Sequence, residues 1–225
     1  MRKSPSGTLR HLSWWALDYA YAGFWQTRAA LSRVDPAIFR TGSGTPIVVI
    51  PGIYETWKFL RPLVAQAHSA GHPVHVLELL RRNHRPVAEG AQQVAAYLEE
   101  HDLRDVVIAA HSKGGLIGKQ VMIGAAGDRV RSMLAVATPF GGSRYADLML
   151  APTLRIFSPK DATILALAEQ LDVNSRIVSV YSSFDPHIPE GSELPGATNI
   201  RLDDGGHFRI LANPRVLTEL LALSA

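Results

Sequence analysis

Ser112 lies in Ala110-His-Ser-Lys-Gly-Gly115, directly after the strand-like run Asp105-Val-Val-Ile-Ala109. The residues that follow, Leu116, Ile117, Val121 and Met122, have the spacing of a helix. A serine between a strand and a helix, with Ala110 two residues before it and Gly114 two after, has the layout of a nucleophile elbow. Such a turn forces the serine into a strained backbone and presents its hydroxyl, and larger flanking residues would collide with the neighbouring strand and helix. A serine hydroxyl is a poor nucleophile at its own pKa and needs a base beside it. Among nine histidines, His207 is the best candidate. It sits in the glycine-rich loop Asp203-Asp-Gly-Gly-His-Phe208, past the last strand-like run, where the chain can bend to aim an imidazole. That ring has the pKa to take the serine proton and return it to a leaving group. His68, His75 and His101 fall within helix or strand patterns, and His111 is expected to face away from its neighbour Ser112. A third group must orient the imidazole, and Asp185, Asp203 and Asp204 compete for that role. Asp203 and Asp204 stand close to the strand end and are expected to cap or solvate the loop instead.

The elements that must carry these residues alternate regularly. Strands are expected at Ile47–Ile50, Val74–Leu79, Val106–Ala110, Val130–Ala137, Ile177–Tyr181 and, shorter, Asn199–Leu202. Between and after them, helices are expected at Trp57–Ala70, from Pro86 to about Glu100, at Leu116–Ala126 and from Asn213-Pro214 onward. Strands that are nearly continuous apolar runs, alternating with helices, predict an α/β fold: a mostly parallel sheet of about six strands with helices on both faces. Residues 139–176 hold Pro139, Gly141, Gly142, Pro152 and Pro159 around a helical piece at about Ala162–Leu171. That is too long for an ordinary connection and leaves the sheet at its carboxyl edge, so a short cap insertion over the site is expected. The expected division is residues 1–44, an aromatic-rich helix and loop, and residues 45–225, the α/β domain.

A chain of 225 residues with 47% hydrophobic and 19% charged residues suits one sizeable core. It has no cysteine, which excludes disulfides and thiolate metal sites. A formal net charge of +3, without an aromatic-interleaved basic stripe, gives no case for nucleic acid. His72 and His75 point to opposite faces, no His-Glu-x-x-His pattern or phosphate loop occurs, and neither metal nor cofactor is expected. The segment Leu12–Trp25 is rich in Trp and Tyr but is interrupted by Asp18 and followed by Gln26 and Arg28, which fits neither a secretory signal nor a spanning helix. It reads as a helix docked across the domain or on a partner subunit. The alternative is peripheral membrane contact through Trp14–Trp25, with Arg2, Lys3 and Arg10 on anionic lipid. A cytoplasmic location is expected, and the oligomeric state carries no sequence signal.

The order of Ile47-Val-Val-Ile-Pro-Gly52, the Ser112 elbow, Asp185 and His207 resembles the α/β-hydrolase family. Within it, the chain is similar to small bacterial lipases and esterases with an Ala-x-Ser-x-Gly elbow, over roughly residues 45–220. Thr138-Pro-Phe-Gly-Gly-Ser143 resembles a Thr-Pro-x-x-Gly-Ser segment of many bacterial lipases. The resemblance implies an order of serine, acid, histidine, with Asp185 in Ser182-Ser-Phe-Asp-Pro-His-Ile-Pro189 as the acid. It also implies an oxyanion hole from the amides of Lys113 and Ile53, with Gly52 letting the backbone approach the substrate. Many relatives have His-Gly where this chain has Pro51-Gly52, and Met or Gln where it has Lys113. The Lys113 ammonium is expected to point outward, or else to lie over the site. Arg81-Arg-Asn-His-Arg85 is expected to form a solvated loop, with a role in binding anionic substrates as the alternative. The implied activity is carboxylic ester hydrolysis through an acyl-enzyme, on a small ester or lipid, with Tyr54, Phe140 and Phe208 candidates for substrate contact and Trp57 and Phe157 in the apolar surroundings. Thioesterase, amidase and perhydrolase chemistry would use the same triad, and a non-catalytic binding module is the remaining alternative.

Overall fold

Apolar runs buried on both sides can satisfy their backbones only in the middle of a sheet, and four such strands form the centre of this one, between the two edge strands. The computed structural model describes residues 5–225, with side chains from Arg10 onward. Arg2 and Lys3, named above for lipid contact, lie outside the described residues. In chain order the elements are α1 (Pro5–Leu31), β1 (Ile47–Ile50), α2 (Arg61–Ser69), β2 (Val74–Val76), α3 (Val87–Glu100), β3 (Val106–His111), α4 (Lys113–Ile123), β4 (Val130–Val136), α5 (Pro152–Arg155), α6 (Ala162–Glu169), β5 (Ile177–Phe184), β6 (Thr198–Gly205) and α7 (Pro214–Ser224). The sheet order is β2-β1-β3-β4-β5-β6. Every neighbouring pair is parallel.

Alternation along the strands divides the core into two layers. Val48, Ile50, Val106, Ile108 and Ala110 pack with residues of α3, α4 and α6. Their neighbours Ile47, Val49, Val107 and Ala109 pack on the other face with residues of α2 and α7. Tyr21 and Trp25 of α1 join that second layer. The central strands are buried throughout, which is why their sequences read as unbroken apolar runs.

Several boundaries differ from expectation. β2 stops at Val76 because only three of its residues find partners in β1. The chain then turns through a 3-10 segment at Glu78–Leu80. β5 reaches Phe184 and β6 reaches Gly205, since the two pair with each other to the register Phe184–Gly205. The last strand is therefore eight residues long, and Asp203 and Asp204 belong to it rather than to a loop. The helix after the elbow begins at Lys113, three residues before the first apolar residue of its pattern. Between β4 and β5 the chain forms α5, α6 and short 3-10 turns at Arg144–Leu148 and Asp172–Arg176.

β1 and β3 are adjacent, and the chain leaves them toward opposite sides of the sheet, so their carboxyl ends open a crevice at a switch of strand order. Ser112 stands there at φ 51° and ψ −121°, a region that L-residues occupy only under constraint. Its amide donates to the Val136 carbonyl of β4 at 2.8 Å. A Cβ on Gly114 would overlap the Ile50 carbonyl oxygen, and one on Gly115 would overlap the Thr138 side chain. Because the obstacle at Gly114 is backbone, Gly114→Ala is expected to destabilise the fold by about 1–3 kcal/mol, the range for overpacked sites. The shift in urea midpoint at unchanged slope measures it.

Candidate active site

The elbow turn sets the serine, and two loops from the far strands bring the other groups to it. Ser112 Oγ lies 2.9 Å from His207 Nε2. His207 Nδ1 lies 2.8 Å from Asp185 Oδ2. A carboxylate accepts only, so Nδ1 carries the ring proton and Nε2 is left to accept from the serine hydroxyl. Asp185 Oδ1 is held in turn by the amides of His187 at 2.7 Å and Ile188 at 3.0 Å. The structure thus brings Ser112, His207 and Asp185 together. Asp203 and Asp204 take no part: Asp204 accepts from the Gly205 amide and the Arg209 guanidinium.

All three groups are nearly dry. Burial pulls the His207 imidazole down, but the charge and hydrogen bond of Asp185, with smaller contributions from Glu55 and Asp18, outweigh it and leave the pKa above its ordinary value. For Asp185, burial pushes up, while the charge and hydrogen bond of His207 and the His187 amide pull further down. The pair therefore favours its ionised form. His187, with its ring 4.9 Å from that of His207, is driven by burial to about 4 and stays neutral.

The two residues whose amides are expected to form an oxyanion hole are Lys113, which follows the serine, and Ile53. Lys113 is the first residue of α4, where a helix leaves its amides without internal acceptors. Among the described residues, no hydrogen bond within the chain engages the Ile53 amide. Ile53 and Ser112 line one cavity of about 450 Å³. Tyr19 and Gln26 of α1 border it, as do Tyr54, Pro139, Met149, Leu154, Phe157, His187, Ile188, His207 and Phe208. The segment between β4 and β5 thus supplies one wall and α1 another. The expected contact residue Phe140 is not in this wall; it is buried in the layer under α4. Trp57 is also in the core, edge-on against Phe39.

One further expectation is corrected, that for Lys113, while the loop at residues 81–85 is exposed as expected apart from Asn83. The Lys113 side chain points neither outward nor over the serine. It is fully buried, and its Nζ donates to the Asn83 carbonyl at 2.8 Å and to the Arg85 carbonyl. Burial lowers its pKa to about 8. Asn83 Nδ2 donates to the Pro51 carbonyl at 2.6 Å, so the lysine ties down the loop that carries the Ile53 amide. Arg81 and Arg82 border a separate cavity of about 270 Å³ with Lys58 and Glu78, while Arg85 pairs with Glu89. None of the three lines the cavity at Ser112.

Sequence reasoning missed a buried pair beneath the site. His111 faces away from the serine but remains part of the apparatus: its Nδ1 lies 2.9 Å from Glu55 Oε2 and its Nε2 lies 3.0 Å from the His207 carbonyl oxygen. Glu55 Oε2 also accepts from the Gly52 amide at 2.7 Å. The space beside Gly52, expected to admit substrate, is filled by this pair, which a Cβ would press against. Only the presence of a histidine beside the elbow serine could have signalled it.

The strained serine at the switch point, on a six-stranded parallel sheet covered on both faces, defines the α/β-hydrolase fold. No protein-family model matches the chain. Solved structures similar to it include the Bacillus licheniformis lipase BlEst2, at 19% identity and a TM-score of 0.61 over 81% of this chain and 93% of that one. A monoacylglycerol lipase of Paleococcus ferrophilus aligns at 14% identity and a TM-score of 0.62, over 80% and 97%. An extracellular α/β-hydrolase from a Paenibacillus species aligns at 17% and 0.56, over 80% and 99%. At these identities the likeness is one of fold. In sequence the chain is similar to RutD of Azorhizobium caulinodans, a protein whose name proposes a carbamate hydrolase, at 29% identity over 147 residues. That match takes in 62% of this chain and 52% of the relative, so it spans about half the relative's length.

Without Glu55, His111 Nδ1 and the Gly52 amide lose their acceptor in a dry site. Glu55→Ala is accordingly expected to cost roughly 1–3 kcal/mol of stability for each group left unsatisfied, read as a lowered denaturant midpoint.

Proposed function

We propose that the protein is a serine hydrolase that cleaves carboxylic esters through an acyl-enzyme on Ser112. The observation that carries this reading is the continuous chain of hydrogen bonds from Ser112 Oγ through His207 to Asp185, at the floor of a largely apolar cavity. Ser112 Oγ attacks the ester carbonyl carbon as its proton passes to His207 Nε2. Asp185 steadies the imidazolium. The new oxyanion sits between the Lys113 and Ile53 amides, preorganised donors each worth on the order of 10²–10³ in rate. His207 gives the proton to the departing alcohol, the C–O bond breaks, and water repeats the sequence in reverse to release the acid. The cavity volume lies in the range of small-molecule sites, and its apolar wall suits an alkyl or aryl acyl group.

A second reading, hydrolysis of a carbamate or amide on the same residues, is favoured by the likeness to RutD. The two differ in the leaving group and not in the nucleophile. Comparing kcat/KM on p-nitrophenyl esters of rising chain length with that on carbamates of matched size separates them: an ester preference supports the first reading, and a carbamate preference replaces it.

Ser112→Ala is expected to abolish labelling by a fluorophosphonate probe and to lower kcat by several orders of magnitude. Labelling undiminished in that variant would refute the assignment. The pH profile adds a second check. His207 must be neutral to act as base, and its pKa lies above the ordinary value of about 6.5. As pH falls through that raised pKa, the ring takes a proton and the rate falls. The acid limb of kcat/KM is therefore expected to have its midpoint above that of an unperturbed imidazole.

A further inference from the structure

The loop that carries His207 is tied by the Gly206 amide to the Phe184 carbonyl, by Ser182 Oγ to the Gly206 carbonyl and by His111 to the His207 carbonyl. These bonds leave its next three amides to find acceptors elsewhere. β6 ends at Gly205, Gly206 follows, and the amides of His207, Phe208 and Arg209 lead into the 3-10 turn Arg209–Ala212 without a side-chain cap from the turn itself. All three end on one carboxylate from the other end of the chain. Asp18 Oδ2 accepts from His207 at 3.0 Å, and Asp18 Oδ1 accepts from Phe208 and Arg209 at 2.8 Å each. Asp18 is fully buried in the middle of α1. Among the described residues it forms no ion pair with a lysine or arginine, so these amides carry its negative charge.

The glycines fit the same geometry. A Cβ on Gly205 would overlap the Trp14 indole, and one on Gly206, at φ +123°, would overlap the Asp18 carboxylate. They admit α1 to the loop. The residue after Asp18 reaches the opposite half of the site: Tyr19 Oη lies 3.1 Å from His187 Nε2. The His187 amide is itself a donor to Asp185. Two turns earlier in α1, His11 stacks on Phe184 at the end of β5, with ring centres 4.3 Å apart.

We propose that Asp18 is a positioning residue for His207, and that α1 clamps the base loop through Asp18 and the acid loop through Tyr19, holding both in register with Ser112. This rests on the serine-hydrolase reading. Asp18 acts through the backbone of its partner and touches no substrate. Misplacing a reacting group by about 1 Å costs on the order of 10²-fold in rate, which is the scale such an anchor controls. The titratable groups facing His207 are Asp185 and His187 from the acid loop, His111 from β3, Glu55 from the loop after β1, and Asp18 and Tyr19 from α1. Removing the Asp18 charge therefore also removes one anion that favours the imidazolium.

The test measures kcat, KM, fluorophosphonate labelling rate and pH profile of full-length wild type, Asp18→Asn, Asp18→Ala and Tyr19→Phe on a p-nitrophenyl ester, alongside thermal melting. The Asp18 variants are expected to lose on the order of 10²-fold in kcat, with KM little changed and the acid limb moved to lower pH. Tyr19→Phe should lose several-fold in kcat. Should Asp18→Ala fail to fold, Asp18→Asn and Tyr19→Phe decide. A folded Asp18→Asn with wild-type kcat and acid limb overturns the inference, as does a lowered melting temperature alone. A wild type that neither labels nor turns over would instead overturn the serine-hydrolase reading, and this inference with it.

Discussion

The turn from β3 into α4 is the constraint on which the rest of the site depends. To place Ser112 at the mouth of the crevice, α4 must start immediately after the strand and pass against β1 and the end of β4. Gly114 and Gly115 make that passage possible, one against the Ile50 carbonyl and the other against Thr138. The strain at Ser112 persists because the surrounding sheet over-determines it: the serine amide is pinned to Val136, and six buried strand residues precede it. A helix started this way leaves the Lys113 amide, at its first position, without an acceptor inside the helix. Strain and function thus share one backbone position.

Around that turn the protein has buried more charge than the chemistry alone requires. Asp18, Glu55, Asp185, His111, His207 and Lys113 all have little or no exposure. Each would be costly unpaired. Each is met by a hydrogen bond that also fixes a loop: Asp185 holds its own turn, Glu55 holds Gly52, Lys113 holds residues 83 and 85, and Asp18 holds residues 207–209. The satisfied network converts desolvation cost into rigidity, because no member can move without orphaning another. The cavity, by contrast, is walled by loops, by the segment between β4 and β5 and by α1, whose exposed side chains include Trp15 and Phe24. No described helix is long and apolar enough to cross a membrane.

The sequence by itself determined what short-range physics controls. Apolar runs between helical patterns announced an α/β fold with a parallel sheet, and small residues at 110 and 114 around a serine announced the elbow, because a tight strand-to-helix turn admits only small side chains there. Asp185 and His207 were legible from their place after strands and, for the acid, from the family resemblance. Strand ends were less so: β6 ran further than its own composition suggested because pairing with β5 extended it. Lys113, read as an exposed cation, is buried because two carbonyls and an asparagine from the loop after β2 converge on it. Phe140 was read as pocket and is core, since aromatic character does not say which side of a segment faces a cavity. Asp18, read as the residue that spoils an apolar run, meets its partners across 189 to 191 positions of chain. No periodicity or local propensity encodes a contact at that separation. Only the packed structure decides it, because a buried carboxylate takes whatever donors the fold leaves without acceptors, and these were the amides of the His207 turn.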